Sequence, residues 1–195
     1  RFGQWDAVLD VSRPPSTNDF LIDRVMWHFT RGLAWSAREE VNQAVREHEA
    51  MMQLIQSEEA RKLDSPAFPA TAVLAVADHF LAGKIAAARG DRRDAIAHLE
   101  QAVAAEDALP YMEPAFWPFP TRPALGVAFL EAGEAAQAER IFREDLERQP
   151  RNGWGLLGLE RSLRAQGRAE SAALIQREFK RAWERADVEL ELAWF

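Results

Sequence analysis

Few residues of this chain are of a type that does chemistry, and their spacing limits what they can do. The four histidines are His28, His48, His79 and His98. A helical metal site usually sets two histidines at i and i+4 around a glutamate. No histidine pair has that spacing, and no HExxH run occurs. His28 and His79 take equivalent places on two helices of like pattern, so they can be read as a metal pair or a general base. The favoured reading is packing: a half-buried imidazole in a slot that an aromatic ring fills elsewhere. Glu113 stands two residues after Tyr111 in a proline-rich stretch. A carboxyl group among aromatic rings can be held protonated and act as an acid. No second carboxylate can be placed beside it, so capping or plain exposure is expected instead. Serine elbows, glycine-rich phosphate loops and EF-hand loops are absent. With no cysteine in the chain, disulfides, thiolate zinc sites and cysteine nucleophiles are excluded. The expectation is a protein that is not an enzyme and carries no cofactor and no metal.

The stretch YMEPAFWPFPTRP is the other conspicuous cluster, with Tyr111, Phe116, Trp117 and Phe119 among four prolines. One reading is a rigid strap packed over a junction of helices, since proline lowers the entropy lost in ordering it. The second is an aromatic anchor for a partner, carried by Tyr111, Glu113 and Trp117. A third, a small-ligand or catalytic site over residues 111–117, is kept as an alternative. The strap is favoured, because large aromatic side chains serve burial first.

Around these residues the chain reads as helix after helix. Helices are expected at roughly 19–37, 39–62, 70–89, 92–108, 121–132, 134–148, 153–166 and 168–187, with residues 1–10 also helical. SRPPSTND is a linker with Asn18 or Asp19 as N-cap; DSPAFP is a second connector. The last eight residues, VELELAWF, alternate as a strand would. The 195 residues are 48% hydrophobic, enough for a sizeable core. The net charge of −7, from 31 acidic and 24 basic side chains, argues against nucleic acid as partner. No apolar run approaches ~18 residues, so no membrane span is expected. The chain opens on Arg1, which reads as a fragment of a longer protein.

The helices repeat. In TRPALGVAFLEAGEAAQAERIFREDLERQP, Leu125-Gly126 is followed by Phe129, Gly133, Ala138, Phe142 and Pro150. This resembles the tetratricopeptide repeat (TPR), W-x2-L-G-x2-Y, then A-x3-F, then P, over about 34 residues; Arg122 stands in place of the first aromatic. Weaker copies place Gly32, Trp35, Ala44 and His48; Gly83, Ala86, Gly90, Ala95 and Leu99; and Leu159, Leu163, Gly167 and Ala172 in the same frame. In the last copy Glu160 stands where glycine is expected, and the first lacks the turn glycine. Small residues let paired helices cross closely; Gly90, Gly133 and Gly167 suit the left-handed turn after the first helix. The expected architecture is all-α, a single TPR-like solenoid domain over 1–195. It consists of antiparallel helix pairs in a right-handed superhelix, with repeats at 19–62, 70–108, 119–152 and 153–187, an aromatic connector at 109–121 and a tail at 188–195.

The connector and the block FREDLERQPRNGWGLLGLERSLRAQG also resemble the C-terminal part of a family of long bacterial multi-repeat proteins. Those proteins are defined by architecture rather than activity. In that family an EDALPYDEPPxWYYPVR-like connector precedes the last repeats; here Trp117, Pro118, Phe119 and Pro120 depart from its tyrosines. The resemblance implies further repeats upstream and a bacterial protein, cytoplasmic or exported to the periplasm.

TPR resemblance implies a concave groove lined by the first helix of each pair, where a partner segment binds. The stripe that would line it runs through Met26, Phe29, Leu33 and Ser36, then Phe80, Lys84 and Ala87, then Val127 and Leu130, then Trp154, Leu157, Arg161 and Arg164. Its three cations, in a chain of negative net charge, point to a protein or peptide partner with an acidic segment or a C-terminal carboxylate. The expected function is protein–protein interaction or scaffolding. Homo-oligomerisation through end repeats or the tail is the alternative.

Overall fold

The computed structural model describes residues 3–17, 20–65 and 67–192. Among them the chain is all-helical, with ten helices and no strand. They are α1 (Trp5–Leu9), α2 (Leu21–Ala37), α3 (Val41–Ile55), α4 (Glu58–Arg61), α5 (Ala70–Ala88), α6 (Arg92–Asp107), α7 (Thr121–Glu131), α8 (Ala135–Arg148), α9 (Gly153–Ala165) and α10 (Ala169–Ala182). Where the sequence reads as one domain, the chain divides into two compact units, Gln4–Phe119 and the part from Pro120 onward. The boundary falls at the end of the proline-rich connector. Asn18 and Asp19, the expected N-cap, lie outside the described residues.

Four hairpins carry the architecture: α2–α3 and α5–α6 in the first unit, α7–α8 and α9–α10 in the second. Each is closed by three residues, and each closes in the same way. The second turn residue takes a positive φ, and the third returns its N–H to a carbonyl five residues back. Asp91 donates to Ala86 (3.0 Å), Glu134 to Phe129 (2.8 Å) and Arg168 to Leu163 (3.0 Å). The residues at positive φ are Gly90 (+80°), Gly133 (+80°) and Gly167 (+73°). The turn of the first hairpin has no glycine, yet makes the same bond, Glu40 to Trp35 at 2.9 Å, by holding Glu39 at φ +60°. This is the Schellman closure, which satisfies carbonyls the helix end leaves orphaned.

Two boundaries differ from the sequence reading. The expected helix 39–62 breaks after Ile55, because the Ser57 hydroxyl donates to the Leu54 carbonyl (2.7 Å) and accepts from the Ala60 N–H (3.1 Å), capping α4. A serine that satisfies backbone groups locally competes with helix continuation. The expected helix 168–187 ends at Ala182, and residues 188–192 form no strand.

The first unit is built around α5, which packs on α2, α3 and α6. By length and composition α5 could cross a bilayer, but 56% of its apolar window is buried here, as befits a core helix. In the second unit α9 packs on α7, α8 and α10. Glycine sets the closeness of the crossings. A Cβ on Gly83 would lie 2.7 Å from Leu99, and one on Gly126 would lie 2.5 Å from Phe142. In both pairs the bulky residue follows the glycine by sixteen positions. Phe142 is fully buried.

Candidate functional site

The histidines serve packing and ion pairing. His28 of α2 is buried, its Nδ1 2.7 Å from Glu47 Oε2 of α3. Arg31 Nε donates to the other oxygen of Glu47 at 2.8 Å and also covers the Trp27 ring, 4.5 Å from its centroid. Burial works to raise the Glu47 pKa, but the bonds from His28 and Arg31 outweigh it and hold the carboxyl below its usual range. His48 Nε2 reaches Asp78 Oδ1 of α5 at 2.7 Å. His79 stacks on His98 with ring centroids 6.3 Å apart. Among the described residues no three metal-ligating side chains converge.

The aromatic connector divides in two. Trp117 is 4% exposed and lies edge-on to Phe29 of α2, with centroids 5.3 Å apart. Phe80 of α5 and Phe119 lie 6.5 and 5.9 Å from it. Phe116 meets Phe68 at 5.9 Å. These rings roof the first unit as a strap. Tyr111, in contrast, is 86% exposed. Its hydroxyl donates to the Glu113 carboxylate, which raises the tyrosine pKa. Both side chains stand in open solvent.

The groove stripe is not a surface along its whole length. Phe29 is 0% exposed beneath Trp117, and Phe80, Val127 and Trp154 are buried too. These four offer a partner no contact, which corrects their assignment to an open groove. Helical periodicity places each on one stripe of its own helix; in the first unit Trp117 closes over Phe29 and Phe80, and in the second Trp183 packs edge-on to Trp154. Met26, Leu33 and Lys84 are half-buried. Arg161 and Arg164 are exposed, and they rim a cleft of about 490 Å³ in the second unit.

This cleft lies between α9 and α10. Leu157, Phe179 and Trp183 give it an apolar floor, and Leu190, beyond α10, joins the lining; Arg161, Arg164 and Lys180 supply cations, and Glu160 and Glu189 carboxylates. Its origin is legible in the repeat. Glu160 follows Gly126 by 34 residues, and Gln176 follows Phe142 by the same number. Where the preceding pair closes with glycine against a phenyl ring, this pair has two polar side chains, and both line the cleft. Glu160 is 4% exposed and anchored by the Arg164 guanidinium, with Arg161 Nε 3.7 Å away. A buried carboxylate is tolerable only with such partners.

Neighbouring bonds hold the walls. Asn152 caps α9, accepting from the Trp154 N–H at 3.2 Å and donating to the buried Asp145 carboxylate at 2.8 Å. Glu139 of α8 receives Gln166 (2.8 Å) and Arg168 (2.7 Å) from the α9–α10 turn. Burial pushes the Glu139 pKa up, but the bonds from Gln166, Arg143 and Arg168 bring it below the ordinary value. Gln176, Phe179 and Lys180 of α10, and Trp183 just after it, escape a reading confined to first helices. Glu160 in the glycine slot was the available signal, and Gln176 sixteen residues later completes it.

No protein-family model matches this chain, and no curated protein matches it.

Proposed function

We propose that the chain is a TPR-type interaction module without catalysis of its own, which binds an acidic segment of a partner protein in the α9–α10 cleft. The observation that carries this is the cleft itself, where Arg161, Arg164 and Lys180 stand over an apolar floor. Against Glu160 and Glu189 these three cations leave a local excess of positive charge on a chain of −7. Cations beside apolar and aromatic surface suit a segment that presents carboxylates and apolar side chains together. The TPR-type solenoid reading is supported by four hairpins with one turn geometry, and by the Gly83–Leu99 and Gly126–Phe142 approaches at one offset.

The test is capture of partners from source-cell lysate by the wild-type chain and by a Lys180→Glu variant, with folding checked by circular dichroism. Arg161 and Arg164 are left in place because both pair with the buried Glu160 carboxylate. A partner retained by the wild type, lost by the folded variant and released by salt is the expected result. A partner held equally by both chains refutes the cleft.

A further inference from the structure

Part of the cleft wall comes from the segment that follows α10. Beyond α10 the backbone folds back, and Trp183 Nε1 donates to the Val188 carbonyl at 2.9 Å. The next two residues, Glu189 and Leu190, then line the cleft. Leu190 is only 8% exposed although it belongs to no helix. Its Cδ2 sits over Gly153, where a Cβ would come within 3.3 Å, beside the Trp183 ring, which stands closer still. Glu189 remains exposed, on the same cleft as Arg161, Arg164 and Lys180. Residues 188–192 read Val-Glu-Leu-Glu-Leu, apolar and acidic by turns. In an extended segment such alternation sends one kind of side chain to the floor and the other outward.

We infer that residues 188–190 are an internal ligand of the cleft, and that its partner is an extended segment of another protein alternating carboxylates with large aliphatic side chains, which displaces them. This rests on the cleft reading above and adds the partner's pattern and a built-in competitor. A tethered competitor acts at an effective concentration of order millimolar, so it lowers the apparent affinity of a free segment without altering the site. Among the described residues its hold includes the Trp183–Val188 hydrogen bond and the buried Leu190 side chain, and a longer segment of the same pattern can make more contacts of both kinds.

The experiment uses the full chain and a fluorescein-labelled synthetic peptide, VELELAWF, read by fluorescence polarisation. Leu190→Ala removes the seated side chain, and Glu189→Lys reverses the charge at an exposed position where folding is not at stake. Both variants are expected to bind the peptide about fivefold or more tighter than the wild type, as relief of a tethered competitor requires. Adding Lys180→Glu to Leu190→Ala is expected to abolish the gain. Equal affinity of the wild type and both variants overturns the internal ligand while leaving the cleft standing. Peptide binding to no folded chain, or binding indifferent to Lys180→Glu, overturns the cleft reading as well. A wild-type mass that doubles on concentration and is reversed by peptide means that the tail docks on a second copy, which also overturns the inference.

Discussion

Phe142 lies against Gly126 so closely that a Cβ on the glycine would fall 2.5 Å from the ring. The corresponding positions one repeat later, Glu160 and Gln176, line a cleft instead. Glu160→Gly/Gln176→Phe would therefore restore the closed form of the pair. The expected outcome is a folded chain with peptide binding lost. Its stability should stay within about 1 kcal/mol of wild type, the usual cost of glycine inside a helix, because the phenyl ring regains burial as the glycine loosens α9. Polarisation with the VELELAWF peptide and thermal melts check both parts.

Glu39 holds the left-handed turn position that Gly90, Gly133 and Gly167 hold in the other hairpins. A side chain there costs roughly 1–2 kcal/mol. Glu39→Gly is expected to stabilise the chain by about 1 kcal/mol after the added entropy of the unfolded glycine is subtracted. Glu39→Ala keeps the Cβ and is expected to give no such gain. Urea unfolding at constant slope separates the two.

The connector supplies a paired comparison. Trp117→Ala removes a ring that touches Phe29, Phe80 and Phe119, and should cost about 3–5 kcal/mol. Tyr111→Ala removes a solvent-exposed side chain and should stay within about 0.5 kcal/mol of wild type. A strap requires this asymmetry; an anchor whose only role is binding would leave both melts alike.

Glu47 and Glu139 titrate below their ordinary value of 4.5 in the folded chain. A depressed carboxylate contributes stability that is present above its unfolded pKa and is lost as pH falls through its folded one. Stability should therefore hold above about pH 4.5 and decline below it. Glu47→Gln removes the charge that pairs with Arg31 and His28, and should both destabilise the chain at neutral pH, by about 1–3 kcal/mol, and flatten the acid decline. Chemical unfolding at a series of pH values measures both.

The helices were legible in the sequence because their determinants are local. Apolar periodicity, the turn glycines and the proline after α8 act within a few residues, and six of the eight expected helices begin and end close to where those signals place them. Local signals missed the Ser57 break, since a serine inside a helical pattern caps only when the backbone around it is free to turn. The repeat frame was also legible, and with it the anomaly of Glu160 in a glycine slot. Exposure was not. Phe29, Phe80 and Trp154 share a stripe with Arg161 and Arg164, and no periodicity within α2, α5 or α9 distinguishes buried members from open ones. That distinction came from residues far along the chain: Trp117 closing over Phe29, and Trp183 packing edge-on to Trp154. The sequence by itself determined the elements and their pairing, because hydrogen bonds and turn conformations are set by neighbours in the chain. The tertiary structure alone decided which side chains meet solvent and where a cleft opens, because burial depends on neighbours in space.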